Sequence, residues 1–145
     1  MTDFREVLVQ AGPTGLNQQI TAGGHRILAD EPMELGGTDT GPNPYDLLLA
    51  SLGACTAMTL RLYSDRKGWK LTGILVRLAY DKIHAEDCKT CETKEGFLDR
   101  IQREIELQGD LDHEQRDRLL TIAERCPVAR TLKSEIVIES RLTGS

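Results

Sequence analysis

The chain has 145 residues, a length that suits one domain with its own hydrophobic core, and it is read as a single domain over residues 1–145. Hydrophobic residues make up 39% and charged residues 28%, an ordinary balance for a globular protein in water. With 18 basic against 23 acidic side chains, a net charge of -5 and no basic run, the chain lacks the stripe that neutralises phosphates, so nucleic acid is not an expected partner.

The start, Met1-Thr2-Asp3-Phe4-Arg5-Glu6, is polar and lacks the apolar core of a signal peptide. The longest uncharged apolar run, Leu47 to Leu60, falls short of the roughly 18 residues that read as a membrane span. A cytoplasmic protein with no membrane partner is expected. In that reducing compartment the four cysteines read as buried thiols, redox groups or metal ligands rather than as a disulfide framework.

Three strands are predicted first. Glu6–Gln10 leads into a turn at Gly12–Gly15, and Leu16–Thr21 and His25–Ala29 flank Gly23-Gly24, a hairpin turn. Glu34–Pro44 is rich in glycine and proline and reads as an irregular loop. A long helix follows, with Asn43 as N-cap, Pro44 in the first turn, Asp46 at its positive end and Gly68 as its stop. From Leu47 to Met58 it carries no charge on any face, which predicts a buried helix, and a chain this short needs a partner subunit to cover it. Leu71–Tyr80 reads as a strand and Asp81–Gly96 as a polar loop. Ile101, Arg103, Ile105 and Leu107 share one face of a further strand, with a helix as the alternative, closed by Gly109. Asp112 opens a second helix whose stripe is Leu119, Ile122, Ala123 and Cys126, broken or restarted at Pro127. Ser134–Leu142 alternates, with Ile136 and Ile138 on one face, and reads as a last strand. The order gives an α+β class.

By itself Cys55, in the middle of the apolar helix, reads as a small core residue. Cys126 precedes Pro127, a residue suited to the first position of a new helix, and a cysteine at a helix N-terminus holds more thiolate; Arg125 and Arg130 push the same way. A packed stripe residue is the competing reading of Cys126.

The run Gly41-Pro42-Asn43-Pro44-Tyr45-Asp46-Leu47-Leu48-Leu49-Ala50-Ser51-Leu52-Gly53-Ala54-Cys55 resembles the Asn-Pro segment that leads into the reactive-cysteine helix of the OsmC/Ohr family, the osmotically induced and organic hydroperoxide resistance proteins. Arg125-Cys126-Pro127-Val128 resembles that family's second cysteine site. Ala29-Asp30-Glu31-Pro32 and Glu34-Leu35-Gly36-Gly37 fit as well, so the resemblance spans nearly the whole chain. It implies an OsmC-like fold, antiparallel sheets packed around a long buried central helix, in an intertwined homodimer. It also implies a thiol peroxidase that needs no cofactor. Cys55 would attack an organic hydroperoxide, Cys126 would resolve the sulfenic acid to a disulfide, and an external dithiol, of lipoyl type in Ohr, would reduce the bridge.

The chain departs from Ohr in three places. Ohr members hold an arginine from the N-terminal strands with a glutamate after the Asn-Pro pair; this chain has Tyr45 there. On an ideal helix Asp46 faces away from Cys55, while Tyr45 lies about 80° from it. Arg26 and Arg130 are the candidate cations for a Cys55 thiolate, with Tyr45 beside them as a third candidate. Ala129 stands where nearer relatives often carry histidine. These differences point to an OsmC-like branch distinct from Ohr.

Cys88-Lys89-Thr90-Cys91, with His84 four residues earlier, is a candidate weak zinc site, a dithiol, or two unremarkable thiols; one histidine and one such pair fall short of the four ligands of a structural zinc site. Two other functions stand against the peroxidase: a non-catalytic small-molecule-binding protein, which needs neither Cys55 nor Cys126, and a redox- or metal-sensing protein working through Cys88 and Cys91.

Overall fold

A computed structural model describes residues 5–144, and Met1–Phe4 of the polar start lie outside the described residues. The α+β class is observed, and the chain divides into two compact units, residues 1–48 and 49–145. The first holds an antiparallel sheet of β1 (Val7–Ala11), β2 (Gln18–Ala22) and β3 (His25–Ala29), in that order. Gly23 and Gly24 both take positive φ, 56° and 80°, and close the β2–β3 hairpin between Ala22 and His25. Only glycine adopts this tight pair of angles without steric cost, which is why the dipeptide marks the turn in the sequence.

Beyond β3 the chain has no ladder to satisfy it, and a single carboxylate organises it instead. Asp30 is buried. One oxygen accepts from the Glu31 amide at 2.8 Å; the other accepts from the hydroxyls of Thr38 (2.8 Å) and Thr40 (2.7 Å) and from their amides. The Asp30 amide donates to the Pro42 carbonyl at 3.0 Å. A side chain at Gly41 would strike the Leu28 carbonyl, so the loop can lie this close to β3 only with glycine there. The loop delivers the chain to Asn43. There the Asn43 side chain accepts from the Asp46 amide (2.8 Å) and the Asp46 carboxylate accepts from the Asn43 amide (3.1 Å), a reciprocal cap for the first turn of α1 (Pro44–Lys67).

The second unit is built on the rest of α1, β4 (Lys70–His84), β5 (Phe97–Asp110), α2 (His113–Ala123) and α3 (Pro127–Leu132). Gly68 (φ 69°) ends α1 as expected: its amide donates to Asp65 and the Trp69 amide to Ser64, the paired bonds of a Schellman motif. The β4–β5 hairpin is longer than the sequence suggests, because its ladder runs from Lys70↔Asp110 out to His84↔Phe97. The polar residues Asp81 and Lys82 remain in strand because Arg100 and Asp99 face them in cross-strand ion pairs at 2.6 and 2.7 Å. A bulge between Leu71 and Gly73 shifts the register, and opposite it Gly109 takes φ 135°. The strand reading of Ile101–Leu107 holds, and the helical alternative does not.

Asp112 caps α2 in a capping box with Gln115. The stripe Leu119, Ile122 and Ala123 packs with Leu60, Leu71 and Leu111 into the larger core cluster. A smaller cluster joins Leu52, Cys126 and Ala129, with Cys55, Leu78, Ile101, Val128 and Leu132 around it.

One expectation is corrected. Ser134–Leu142 is not a strand: beyond α3 the described chain is irregular, with Ile136 and Ile138 52% and 84% exposed. Alternation gives a segment strand character, but a strand exists only against a neighbour that accepts its hydrogen bonds, and neither described sheet pairs with this one. Within a single chain helix α1 is covered along one face. Leu52, Gly53, Thr56, Leu60 and Ser64 are buried, but Ala50, Ala54, Met58 and Leu62, four residues apart on one stripe, are exposed. By length and composition alone α1 would also pass for a membrane span, yet its buried positions pack on the protein's own strands and helices.

Hydrogen bonds from Thr40 and Thr38 hold the Asp30 carboxyl well below the ordinary 3.8. A depressed carboxylate contributes stability above its unfolded pKa and loses it as pH falls through its folded value. Asp30→Asn is therefore expected to lower the melting temperature at pH 7 by several degrees, and the difference from wild type to shrink as pH drops below 3.8. Thermal melts across pH test this; equal melting temperatures at pH 7 would contradict the role given to Asp30.

Candidate redox site

Cys55 and Cys126 come from different helices and meet in the smaller core cluster. Each chain segment is fixed independently. Cys55 lies in the fourth turn of α1, where the small residues Ala54 and Gly53 leave room; a Cβ on Gly53 would come within 2.7 Å of Leu78 Cδ1. Cys126 follows the tight end of α2, its amide donating to the Ala123 carbonyl at 3.3 Å. It occupies the N-cap position of α3, with Pro127 pre-set for the first helical position. Both are free thiols, Cys126 fully buried and Cys55 partly exposed.

Their electrostatics differ. Burial pushes the Cys55 thiol up from 9.0, and its hydrogen bond with Cys126 pushes it further. Burial also pushes Cys126 up. The hydrogen bond from Cys55 and the groups of Ala129, Thr56 and Val128 more than offset this, and the net direction is down. The two thiols are thus driven apart, Cys55 toward the neutral form and Cys126 toward the thiolate. The Cys126 sulfur makes no full capping bond, but the Val128 and Ala129 amides of the α3 turn lie close enough to favour its thiolate.

A buried cation stands behind the pair. Arg103 projects from β5 among Ile101, Ile105 and Leu107, and its side chain is only 12% exposed. It donates to Thr56 Oγ1 at 2.9 Å and to the Ala123 carbonyl at 3.4 Å, and pairs with Glu124 at 3.1 Å. Lys133 joins the other Glu124 oxygen at 2.7 Å, and these two cations hold the Glu124 carboxyl below its usual range. Thr56 is fully buried and donates its one proton to the Leu52 carbonyl at 2.7 Å. That proton can turn to a charged Cys126 instead, and the bond from Arg103 makes the hydroxyl a better donor.

Arg130 is on α3 but exposed; Arg26 is exposed on β3 and Tyr45 exposed at the start of α1, both in the first unit. Asp46 is committed to the α1 cap. The expected grouping of His84, Cys88 and Cys91 is not assembled as a metal site. Cys88 and Cys91 are bridged, His84 lies against the Phe97 ring, and among the described residues no group of three His, Cys, Asp or Glu side chains is arranged to hold a metal ion. A polar depression of about 400 Å³ lined by Pro32, Asp39, Thr40, Asn43 and Asp46 contains neither cysteine. Arg103 was not singled out from the sequence, although an arginine at an inward position of an otherwise apolar strand face is a signal there.

With this geometry established, the class of protein follows. The OsmC-like protein family matches residues 37–141, which include both cysteines, and the chain belongs to that family. An OsmC-like protein from Mycoplasma pneumoniae superposes with a TM-score of 0.70 at 19% identity, covering 92% of this chain and 89% of that one. An organic hydroperoxide resistance protein OsmC from Legionella pneumophila gives 0.65 at 19% identity, covering 92% and 91%. One from Elizabethkingia anophelis gives 0.66 at 18%, covering 92% and 90%. At these identities the likeness establishes the OsmC-like fold. No curated protein matches the chain.

Replacing Thr56 by valine removes the hydroxyl that favours the Cys126 thiolate while keeping its shape. The Cys126 titration is expected to move to higher pH in Thr56→Val, read as the pH dependence of alkylation at Cys126. An unmoved titration would separate Arg103 and Thr56 from the thiol chemistry.

Proposed function

We propose that the chain reduces organic hydroperoxides with Cys55 and Cys126, taking electrons from an external dithiol in the cytoplasm. The observation that carries this reading is the meeting of two free thiols in one core cluster, one of them partly exposed, with Cys55 pushed up and Cys126 pushed down from the ordinary thiol range. Access favours Cys55 as the attacking sulfur, because Cys126 is fully buried. Cys126, the thiol more readily ionised of the two, accepts the Cys55 proton in its thiolate form as attack begins. The Cys55 thiolate attacks the terminal peroxide oxygen; an S–O bond forms, the O–O bond breaks, Cys55 becomes a sulfenic acid and an alkoxide leaves. The alkoxide recovers the proton from Cys126 and leaves as the alcohol. The Cys126 thiolate then attacks the Cys55 sulfur, expelling hydroxide, which solvent protonates to water. Two thiols have supplied the two electrons that cleave the O–O bond, and a dithiol restores them by exchange.

Cys55→Ser is expected to lose consumption of cumene hydroperoxide by on the order of 100-fold or more, since a hydroxyl is no substitute for a thiolate near neutral pH. Cys126→Ser is expected to react for a single turnover and accumulate a trappable Cys55 sulfenic acid. Full activity in Cys55→Ser would sink the mechanism. The opposite pair of phenotypes would assign the attack to Cys126, as its lowered pKa alone would suggest.

The same reading includes an intertwined homodimer. The exposed stripe of α1, the apolar row Val9 and Ile27 on the first sheet, and the extended Ile136–Ile138 segment all favour a second copy as their cover. A dimer burying more than about 2,000 Å² in total is expected. Light scattering at micromolar concentration tests this, and a stable folded monomer would contradict it.

A further inference from the structure

Cys88 and Cys91 take no part in the chemistry above. They lie in the connection between β4 and β5, joined by a disulfide with Cα atoms 5.5 Å apart. The hairpin does not depend on this bridge. Its ladder is complete to His84↔Phe97, the two rings stack there with centroids 4.6 Å apart, and the Ala85 amide donates to the Gly96 carbonyl at 2.8 Å beneath the loop. Ala85 itself is fully buried. A bridge across so short a loop also removes little chain entropy from the unfolded state.

The bridge is accessible as well. Both of its cysteines are partly exposed, and Asp87, Lys89, Thr90 and Glu92 beside them are exposed. The Thr90 hydroxyl lies 3.9 Å from Cys88 Sγ, where it can stabilise a departing thiolate. Along Ala85–Gly96, Glu86, Asp87, Glu92 and Glu95 outnumber Lys89 and Lys94, so an anionic thiol is disfavoured relative to a neutral one.

We propose that Cys88–Cys91 is a second thiol–disulfide exchange site, separate from the Cys55 pair, whose substrate class is the uncharged dithiol. A dithiol thiolate attacks Cys91, the S–S bond breaks, and Cys88 leaves as a thiolate beside Thr90 and takes a proton. The second thiol of the reductant then attacks the reductant's own sulfur in the mixed disulfide and releases Cys91. Two electrons and two protons have passed to the pair, and the reductant is now a disulfide. The site does not relay electrons within its own chain: Leu78 and Ile101, which pack against the Cys126 cluster, lie several rungs back along the hairpin. The proposal stands independently of peroxide reduction.

The test uses the full-length wild-type protein, equilibrated without denaturant in buffers of reduced and oxidised dithiothreitol. Free thiols are alkylated and the peptide carrying Cys88 and Cys91 is read by mass spectrometry. A single two-electron transition is expected, both cysteines becoming alkylated together, with dithiothreitol opening the bridge at least about tenfold faster than glutathione at equal thiolate. Alkylation of both cysteines at every buffer ratio, or protection of a reduced pair by added zinc alone, would overturn the proposal. So would a bridge that opens only in denaturant, or equal rates with the two reductants. The double variant Cys88→Ser/Cys91→Ser is expected to keep its circular dichroism spectrum and the single-turnover reaction of Cys55; loss of that reaction in a folded variant would overturn the separation of the two sites. Because the peptide readout is independent of Cys55, a failure of the peroxidase reading leaves this result intact.

Discussion

Two sulfurs from different helices share one hydrogen bond inside the second unit, and much of the surrounding structure serves to keep them there. A thiol in a core is inert, because burial disfavours its charged form. Here burial acts on both sulfurs, yet the neighbour, the hydroxyl of Thr56 and the amides of the α3 turn reverse its effect at one of them. The outcome is a pair whose two thiols are pushed in opposite directions, Cys55 up and Cys126 down. Any loosening of the contact would return both sulfurs to the ordinary fate of buried cysteine.

Holding that contact requires each approach path to be fixed. Gly53 brings α1 close to Leu78 on β4, and Pro127 pins the turn in which Cys126 sits. Arg103 reaches from β5 to Thr56 on α1, to the end of α2 and to Glu124, tying three elements around the pair. Removing Glu124 would leave the largely buried Arg103 without its ion-pair partner, whereas Glu124, more exposed and also paired with Lys133, would lose less if Arg103 were removed. The same arginine therefore ties the packing of the hairpin to the ionisation of a cysteine one layer away.

The longer hairpin has a further consequence for chemistry. Cross-strand ion pairs carry the ladder through polar residues as far as His84 and Phe97, so the connection that holds Cys88 and Cys91 begins from a fixed base. A disulfide on such a base can open or close without disturbing the core below it. The chain thus carries a buried thiol pair and a surface pair in different dielectric and steric surroundings, the conditions under which thiol reactivity differs most.

Local chemistry determined a large share of the fold. Gly23-Gly24, the Asn43–Asp46 cap, Gly68, the Asp112–Gln115 box and Pro127 each act over four residues or fewer, and each is where the sequence placed it. The stripe Leu119, Ile122, Ala123 and Cys126 follows from helical periodicity and is buried as that predicts. Those features, with the family resemblance, singled out Cys55 and Cys126. What no local rule contains is a contact between distant segments. The ion pairs that extend β4 and β5, the Asp30 carboxylate that gathers Thr38 and Thr40, and Arg103 behind Thr56 are all tertiary. Sequence offered Arg26 and Arg130 as candidate cations but not Arg103, because which side chains meet Thr56 is decided in space rather than along the chain. The segment Ser134–Leu142 shows the same limit from the other side: alternation supplied the strand's face, and only a neighbouring strand, absent from both described sheets, could have supplied its hydrogen bonds.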